Sequence, residues 1–301
     1  MPIAEVRVSM HWNATIRYGM AALASLVMDC NLAGAEPLEG RLKTIQDTAT
    51  LRLAYRTDSR PFSFLEAPGS QPTGFSIELC ERIAKSIKRD LNLPSLNIEW
   101  VAVDTKTRFE AIVNGAADME CGSTTVSLSR MKIVDFSSLI FAESTGILVK
   151  SGAGVHRFDD MAGKRIGVIA GSTNAQAIRD QLKQRRHDAT LVEFRDREQG
   201  VAALVRGDLD GFATDKLVLL ALAQAARLRD FVVLPDDLSF EPFAIMLPRN
   251  EAALRLAVNV GIAEVFRSGE VIELYTKYFS GVAQRPSVWL GAVFTFSALP
   301  K

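Results

Sequence analysis

Residues 115–130 read GAADMECGSTTVSLSR, and the fold is decided by how this stretch is read. Gly115 follows the apolar-periodic positions Phe109, Ile112 and Val113, and a glycine there takes the left-handed turn that stops a helix. Ala116 to Cys121 then has the length and apolarity of a short buried strand. The strand runs into Gly122-Ser123-Thr124-Thr125, small hydroxyl residues with one glycine, and Arg130 follows on the next short helical turn. Exposed amides and hydroxyls at a strand end, with a guanidinium one or two turns on, make a receptor for a carboxylate. The same residues also suit an ordinary loop of cap-forming side chains beside a solvated arginine.

Outward from this stretch the chain alternates. Upstream, Leu51–Tyr55 is a strand ending in the polar turn Arg56 to Pro61, and Phe62 to Leu65 is a short extended piece. Ile77, Cys80, Ala84, Ile87 and Leu91 mark one apolar helix face. Asn97–Val103 is a strand, and Thr105 to Asn114 the next helix, opened by Arg108. Residues 36–50 read as a polar lead-in. Downstream the pattern restarts near Phe158. Lys164–Ala170 is a strand, Ala175–Arg185 a helix, Thr190–Phe194 a strand and Glu198–Arg206 a helix, closed by Gly207 to Asp215. Asn114-Gly115-Ala116-Ala117-Asp118 and Arg206-Gly207-Asp208-Leu209-Asp210 echo each other, each leading into a strand and polar residues.

Such alternation predicts an α/β protein with mainly parallel sheets flanked by helices, in two similar lobes. The expected first lobe is discontinuous, residues 36–150 plus 238–301, and the second spans 151–237. The tail Val282 to Lys301, with Trp289, Phe294 and Phe296, is apolar enough to pack along a lobe surface.

In open parallel sheets, ligands bind beyond the carboxyl ends of the strands. Arg56, Arg108, Ser123, Thr125, Arg130, Thr173 and Asp215 all stand at such ends. Facing lobes would gather three arginines and one aspartate, a set complementary to two carboxylates and one ammonium. Each residue also has a plainer role: a surface arginine, a structural ion pair, or for Asp215 the N-cap of the helix Lys216 to Ala226.

Composition narrows the function classes. Over 301 residues, Lys+Arg and Asp+Glu both number 35, which argues against a nucleic-acid binder. The three cysteines form no CxxC and no Cys/His cluster, so no metal site, cofactor or catalytic thiol is expected. Cys80 and Cys121 suit an apolar core, or a disulfide in an oxidising compartment; spacing alone does not choose. Arg17, the short apolar run Tyr18 to Met28 and Ala33-Gly34-Ala35 form a secretory leader over residues 1–35, with translation starting at Met1 or Met10. A buried N-terminal helix is the alternative.

From Leu51 to Phe279 the chain resembles the periplasmic solute-binding proteins of the polar amino-acid type, most of all their glutamate/aspartate-binding branch. The resemblance is carried by Met119 to Thr125, with Asn114-Gly115 before and Arg130 after. Arg56 with Pro61-Phe62-Ser63-Phe64, Gly74-Phe75-Ser76 and Gly171-Ser172-Thr173 support it. It implies a type II two-lobed fold whose interlobe cleft captures an acidic amino acid. It also implies a periplasmic protein that works as a monomer and passes its ligand to the membrane permease of an ABC importer.

By the same resemblance, Arg130, Thr125 and Ser123 hold the α-carboxylate and Asp215 the ammonium. Arg56, Arg108 and Thr105 clamp the side-chain carboxylate, and Thr173 reaches in from the second lobe. Arg197 stands where that branch usually has histidine, and Thr105 where serine is usual. Two strands would cross between lobes, near 143–150 and 238–246. The fold also hosts a periplasmic dehydratase acting on prephenate or arogenate. Such an enzyme needs a general acid facing its ligand; Glu120 and Asp118 are the acidic residues within the motif, and no catalytic pair is evident.

Overall fold

The computed structural model describes residues 38–300, so the expected leader lies outside the described residues. The first element corrects the sequence reading: part of the expected lead-in is a helix, α1 (Gly40–Thr48), which buries Leu42 and Ile45. Its start is held by the Arg41 backbone N–H donating to Glu251 at 2.8 Å.

Strand β1 (Thr50–Arg56) follows, then three short strands, β2 (Asp58–Ser59), β3 (Ser63–Leu65) and β4 (Pro72–Thr73), paired antiparallel in a small sheet. Next come α2 (Phe75–Asp90), β5 (Asn97–Val103), α3 (Thr107–Val113) and β6 (Met119–Glu120). The opening strand of the key stretch is thus regular only at its centre. Strands β7 (Asp135–Glu143) and β8 (Thr145–Lys150) run on with Ser144 alone between them. The restarted alternation is β9 (Arg165–Ile169), α4 (Thr173–Arg185), β10 (Thr190–Phe194), α5 (Arg197–Arg206), β11 (Gly211–Asp215), α6 (Lys216–Ala225) and β12 (Phe231–Val233). Strand β13 (Glu241–Leu247) and helices α7 (Ala252–Ser268), α8 (Glu270–Phe279) and α9 (Val288–Ser297) close the chain.

Two five-stranded sheets result, in the orders β5-β1-β6-β13-β7 and β10-β9-β11-β8-β12. They share one pattern. In each, the first three strands are parallel and the last two join antiparallel. The weak sequence echo between the halves therefore has a structural counterpart. The chain changes sheet at Ser144, between β7 and β8, and returns between β12 and β13.

The first sheet covers a cluster of rings. Phe62 meets Phe75, Phe141, Phe243 and Phe279 edge to face, with centroids 4.8–6.3 Å apart. Gly74 makes this possible: at its φ of +130° a Cβ would sit 2.3 Å from the Phe62 carbonyl oxygen. The C-terminal tail packs as expected. Helix α9 lies on β7 and α7, burying Leu290, Val293 and Phe294 while Trp289 and Phe296 stay exposed. The second sheet has apolar clusters on both faces, around Ile166–Val168–Ile178 and around Leu204–Phe212–Leu219. Cys80 in α2 and Cys121 after β6 form a disulfide with Cα atoms 6.2 Å apart, which settles the alternative left open by spacing.

Candidate functional site

The parallel strands of both sheets end toward one another, and the turns after them deliver the charged residues. Arg56 is the last residue of β1. Arg108 lies in the first turn of α3, whose entry is fixed by Asp104 accepting from the backbone N–H groups of Lys106 and Thr107. Thr173 and Arg197 are the first residues of α4 and α5, set by Ser172 and Asp196 capping those helices. Asp215 sits at the N-cap position of α6, but its carboxylate makes no capping bond. It accepts instead from the Asn174 amide at 2.9 Å, and Arg197 stands 3.8 Å away. The plain capping role for Asp215 is therefore not the one its side chain takes.

Seven of the nine candidates lie in three polar groups, and Ser123 and Thr105 stand outside them. In the first, Arg130 donates to the Thr125 carbonyl at 2.8 Å and lies over the Phe109 ring. Thr125 and Thr173 hydroxyls meet at 3.1 Å, and both donate to Glu241, at 2.6 and 2.7 Å. The other Glu241 oxygen accepts from Ser239 and Thr145.

In the second group, Arg108 donates to the Thr124 hydroxyl at 2.7 Å, which donates to Glu120 at 2.7 Å. Gly122 leaves room for this carboxylate, because a Cβ there would fall 2.1 Å from a Glu120 oxygen and push the side chain aside.

In the third, Asp58 bridges two arginines, accepting from Arg56 at 2.6 Å and from Arg197 at 3.5 Å, while Arg197 also reaches Thr214 and Asp215. Ser123 is buried and shares a hydrogen bond with Ser59 at 2.8 Å. Thr105 is buried in the turn before α3 and makes no side-chain hydrogen bond to the other candidates.

The site is closed. Thr125–Thr173 and Asp58–Arg197 each join the first sheet's lobe to the second's, and at the rim Arg195 and Asp104 pair across at 3.3 Å. Arg56, Arg108, Arg197 and Asp215 are all 4% exposed or less. Two surface cavities flank this centre, about 470 Å³ beside Arg130, Thr173 and Glu241, and about 640 Å³ beside Asp58.

Burial sets the electrostatics. It pushes the Arg108 guanidinium down to about 9, helped by Arg130, Arg56 and Arg197 and opposed by Glu120. Burial likewise lowers Arg56 and Arg130. It raises Asp215 to about 6, with Glu241 adding to the rise and Arg197 and Asn174 resisting it. Burial also works to raise Asp58, but Arg197 and Arg56 outweigh it and hold that carboxyl below the usual range. Arg56 Nε, Arg108 Nε and Glu120 Oε1 are buried polar atoms with no hydrogen-bond partner. Buried polar atoms without a partner are uncommon in folded proteins.

Sequence reasoning found the arginines and hydroxyls but undercounted the acids. Three arginines against one aspartate became four guanidinium groups among Asp58, Glu120, Asp215 and Glu241. Asn174 and Thr124 were also missed as partners, although Thr124 sits inside the Gly122–Thr125 run and Asn174 directly follows Thr173. Glu241 had no local signal, since its partner Thr125 is 116 residues away in sequence.

Comparison with known proteins adds to this geometry. The model of the family described as bacterial extracellular solute-binding proteins, family 3, matches residues 51–281. An L-glutamate/L-aspartate-binding protein of Pseudomonas aeruginosa is 34% identical over 247 residues, 82% of this chain and 82% of its own. A glutamate/aspartate import solute-binding protein of Escherichia coli is 25% identical over 269 residues, 88% of this chain and 89% of its own. The crystal structure of the ancestral amino acid-binding protein AncCDT-1, a precursor of cyclohexadienyl dehydratase, aligns with a TM-score of 0.70 at 26% identity. It covers 80% of this chain and 100% of that one.

Proposed function

Because the chain belongs to the bacterial extracellular solute-binding proteins of family 3, with their type II two-lobed fold, we propose that it captures an acidic amino acid, glutamate or aspartate, between its lobes. The observation that carries this reading is the pair Arg108 and Arg130. Both are site guanidinium groups with no ion-pair partner of their own among the described residues, and they lie with Asp215 in one polar centre. Two guanidinium groups and one carboxylate complement two carboxylates and one ammonium. In this reading Arg130, Thr125 and Ser123 receive the α-carboxylate, Asp215 the ammonium, and Arg108 the side-chain carboxylate. Thr173 closes the α-carboxylate end from the second lobe. The name of the Pseudomonas aeruginosa relative supports the same ligand class.

The reading extends to the protein's surroundings. An exported chain, freed of its leader after Ala35, binds its ligand as a monomer outside the cytoplasm and hands it to an ABC importer. The expected boundary at residue 150 moves, because β8 (Thr145–Lys150) pairs with the second sheet: in this reading the first lobe takes residues up to Ser144 and from about 238 onward, and the second the segment between. The oxidised Cys80–Cys121 pair fits an exported protein.

One observation favours a second reading, an enzyme of the prephenate or arogenate dehydratase kind. Glu120 is buried in the motif with an unpartnered oxygen. Its other oxygen accepts a hydrogen bond from the Thr124 hydroxyl, which in turn accepts from Arg108, an arrangement suited to orienting Arg108.

Calorimetric titration with the common amino acids, beside a turnover assay with prephenate and arogenate, tests both readings. Tight binding confined to acidic amino acids, with no turnover, is the expected result. Tight binding of a basic or apolar amino acid instead would refute the proposed ligand class.

A further inference from the structure

Four guanidinium groups, those of Arg56, Arg108 and Arg197 buried and that of Arg130 partly so, share one small region, yet they are not equivalent. Arg56 and Arg197, one from each lobe, both hold Asp58, at 2.6 and 3.5 Å. Arg108 and Arg130 hold no carboxylate directly; their donors go to the Thr124 hydroxyl and the Thr125 carbonyl. Asp58 is itself largely buried, with an 11% exposed side chain, and comes from the two-residue strand β2 beside the end of β1. A carboxylate so placed takes the position that a ligand's second carboxylate would take between those two arginines.

We propose that Asp58 determines specificity at the side-chain end of the site: it engages Arg56 and Arg197 itself, leaving Arg108 as the anchor for the ligand's second carboxylate. The inference rests on the acidic-ligand reading above. Its physical content is competition. Asp58, Glu120, Asp215 and Glu241 equal the four arginines in number, so the protein brings no surplus positive charge to the ligand, but only Asp58 and Asp215 pair with an arginine directly. A glutamate side chain gains one unshared guanidinium instead of three, and its advantage over glutamine is correspondingly smaller than the arginine count suggests. Asp58 stays charged at neutral pH, because Arg197 and Arg56 outweigh the effect of its burial. The same bridge spans the lobes, so it also supports closure at the end of the site away from Thr125 and Thr173.

Two variants test this. Asp58→Ala removes the carboxylate and its volume; Asp58→Asn removes the charge and keeps the shape. Glutamate and glutamine affinities are measured by calorimetry in the parent and both variants, and melting temperatures with and without acetate. The glutamate-to-glutamine affinity ratio is expected to rise about tenfold over the parent in both variants. Acetate is expected to raise the melting temperature of Asp58→Ala and not of the parent, a small carboxylate replacing the one removed. A ratio that is unchanged or smaller in the folded variants overturns the proposal. If the parent binds neither amino acid, the acidic-ligand reading fails. The acetate measurement, which needs no amino acid, then decides separately whether Asp58 occupies a carboxylate position on the two arginines; no stabilisation of Asp58→Ala overturns that as well.

Discussion

In the proposed reading, Arg108 and Arg130 divide the work of recognition, Arg108 taking the ligand's side-chain carboxylate and Arg130 its α-carboxylate. Every amino acid has an α-carboxylate, so Arg130→Ala is expected to weaken glutamate and glutamine together. Arg108→Ala is expected to weaken glutamate more than glutamine and so narrow the gap between them. Leaving one partner of a desolvated charge pair unmet costs about 2–5 kcal/mol, which sets the gap in the parent at tenfold or more. Titrating both variants with both ligands checks this division. Asp215 supplies a pH test. Its folded-state value is raised to about 6 by burial and by Glu241, so the ligand-free site takes up a proton as the pH falls through that value. The protonated form has no charge for the ligand ammonium, and binding must expel the proton. Affinity is therefore expected to fall roughly tenfold from about pH 7 to about pH 5, and the fall should be smaller in Asp215→Asn. A flat profile in the parent would remove Asp215 from the ammonium position. At this scale the sequence exposed the residues placed by their own strand end, such as Arg56 and Thr125. It hid those whose role comes from a distant partner: Asp58 meets Arg197 across 139 residues.

Elements were legible wherever apolar periodicity was strong. Helix α2, with Ile77, Cys80, Ala84 and Ile87 buried along one face, follows its pattern closely. Helix α1 escaped notice because only Leu42 and Ile45 turn inward and it starts at a glycine, a poor helix former. The expected strand Ala116 to Cys121 is regular only at Met119–Glu120, although the Asp118 and Cys121 backbone N–H groups on either side still donate to Arg52 and Ala54 of β1 at 2.8 Å each. The disulfide joins α2 to the residue just after β6, and so to the strand that leads into Gly122–Thr125. It closes a loop over a separation of 41 residues. Chain-entropy arguments give such a link about 4 kcal/mol of stability. Cys80→Ala with Cys121→Ala is expected to lower the denaturation midpoint accordingly in a urea titration. A midpoint equal to the parent's would mean that the bond is not formed in the folded protein.

At the scale of the whole molecule, the crossing between sheets carries its own titratable group. Glu143 ends β7 beside Ser144, and burial pushes its carboxyl up to about 8 despite the hydrogen bond from the Leu217 backbone. The unfolded chain loses that proton near the ordinary value of about 4.3. The folded protein holds it longer, so its stability contribution is complete below the unfolded value and is lost as the pH rises toward 8. Glu143→Gln keeps the acceptor for Leu217 and removes the titration. Its melting temperature is expected to exceed the parent's by a few degrees at about pH 8 and to match it at about pH 4. The two-lobed plan was legible because the strand–helix alternation restarts near Phe158. The closed arrangement was not, since Thr125–Thr173 and Asp58–Arg197 exist only once the lobes meet.

The proposed selection of an acidic side chain inside that closed centre is most directly tested by calorimetric titration of the unmodified protein with glutamate and with glutamine, side by side. The two ligands differ chiefly in one charge. Glutamate is expected to bind at least about tenfold more tightly. Glutamine binding equally well or better would contradict the assignment of Arg108 to a ligand carboxylate.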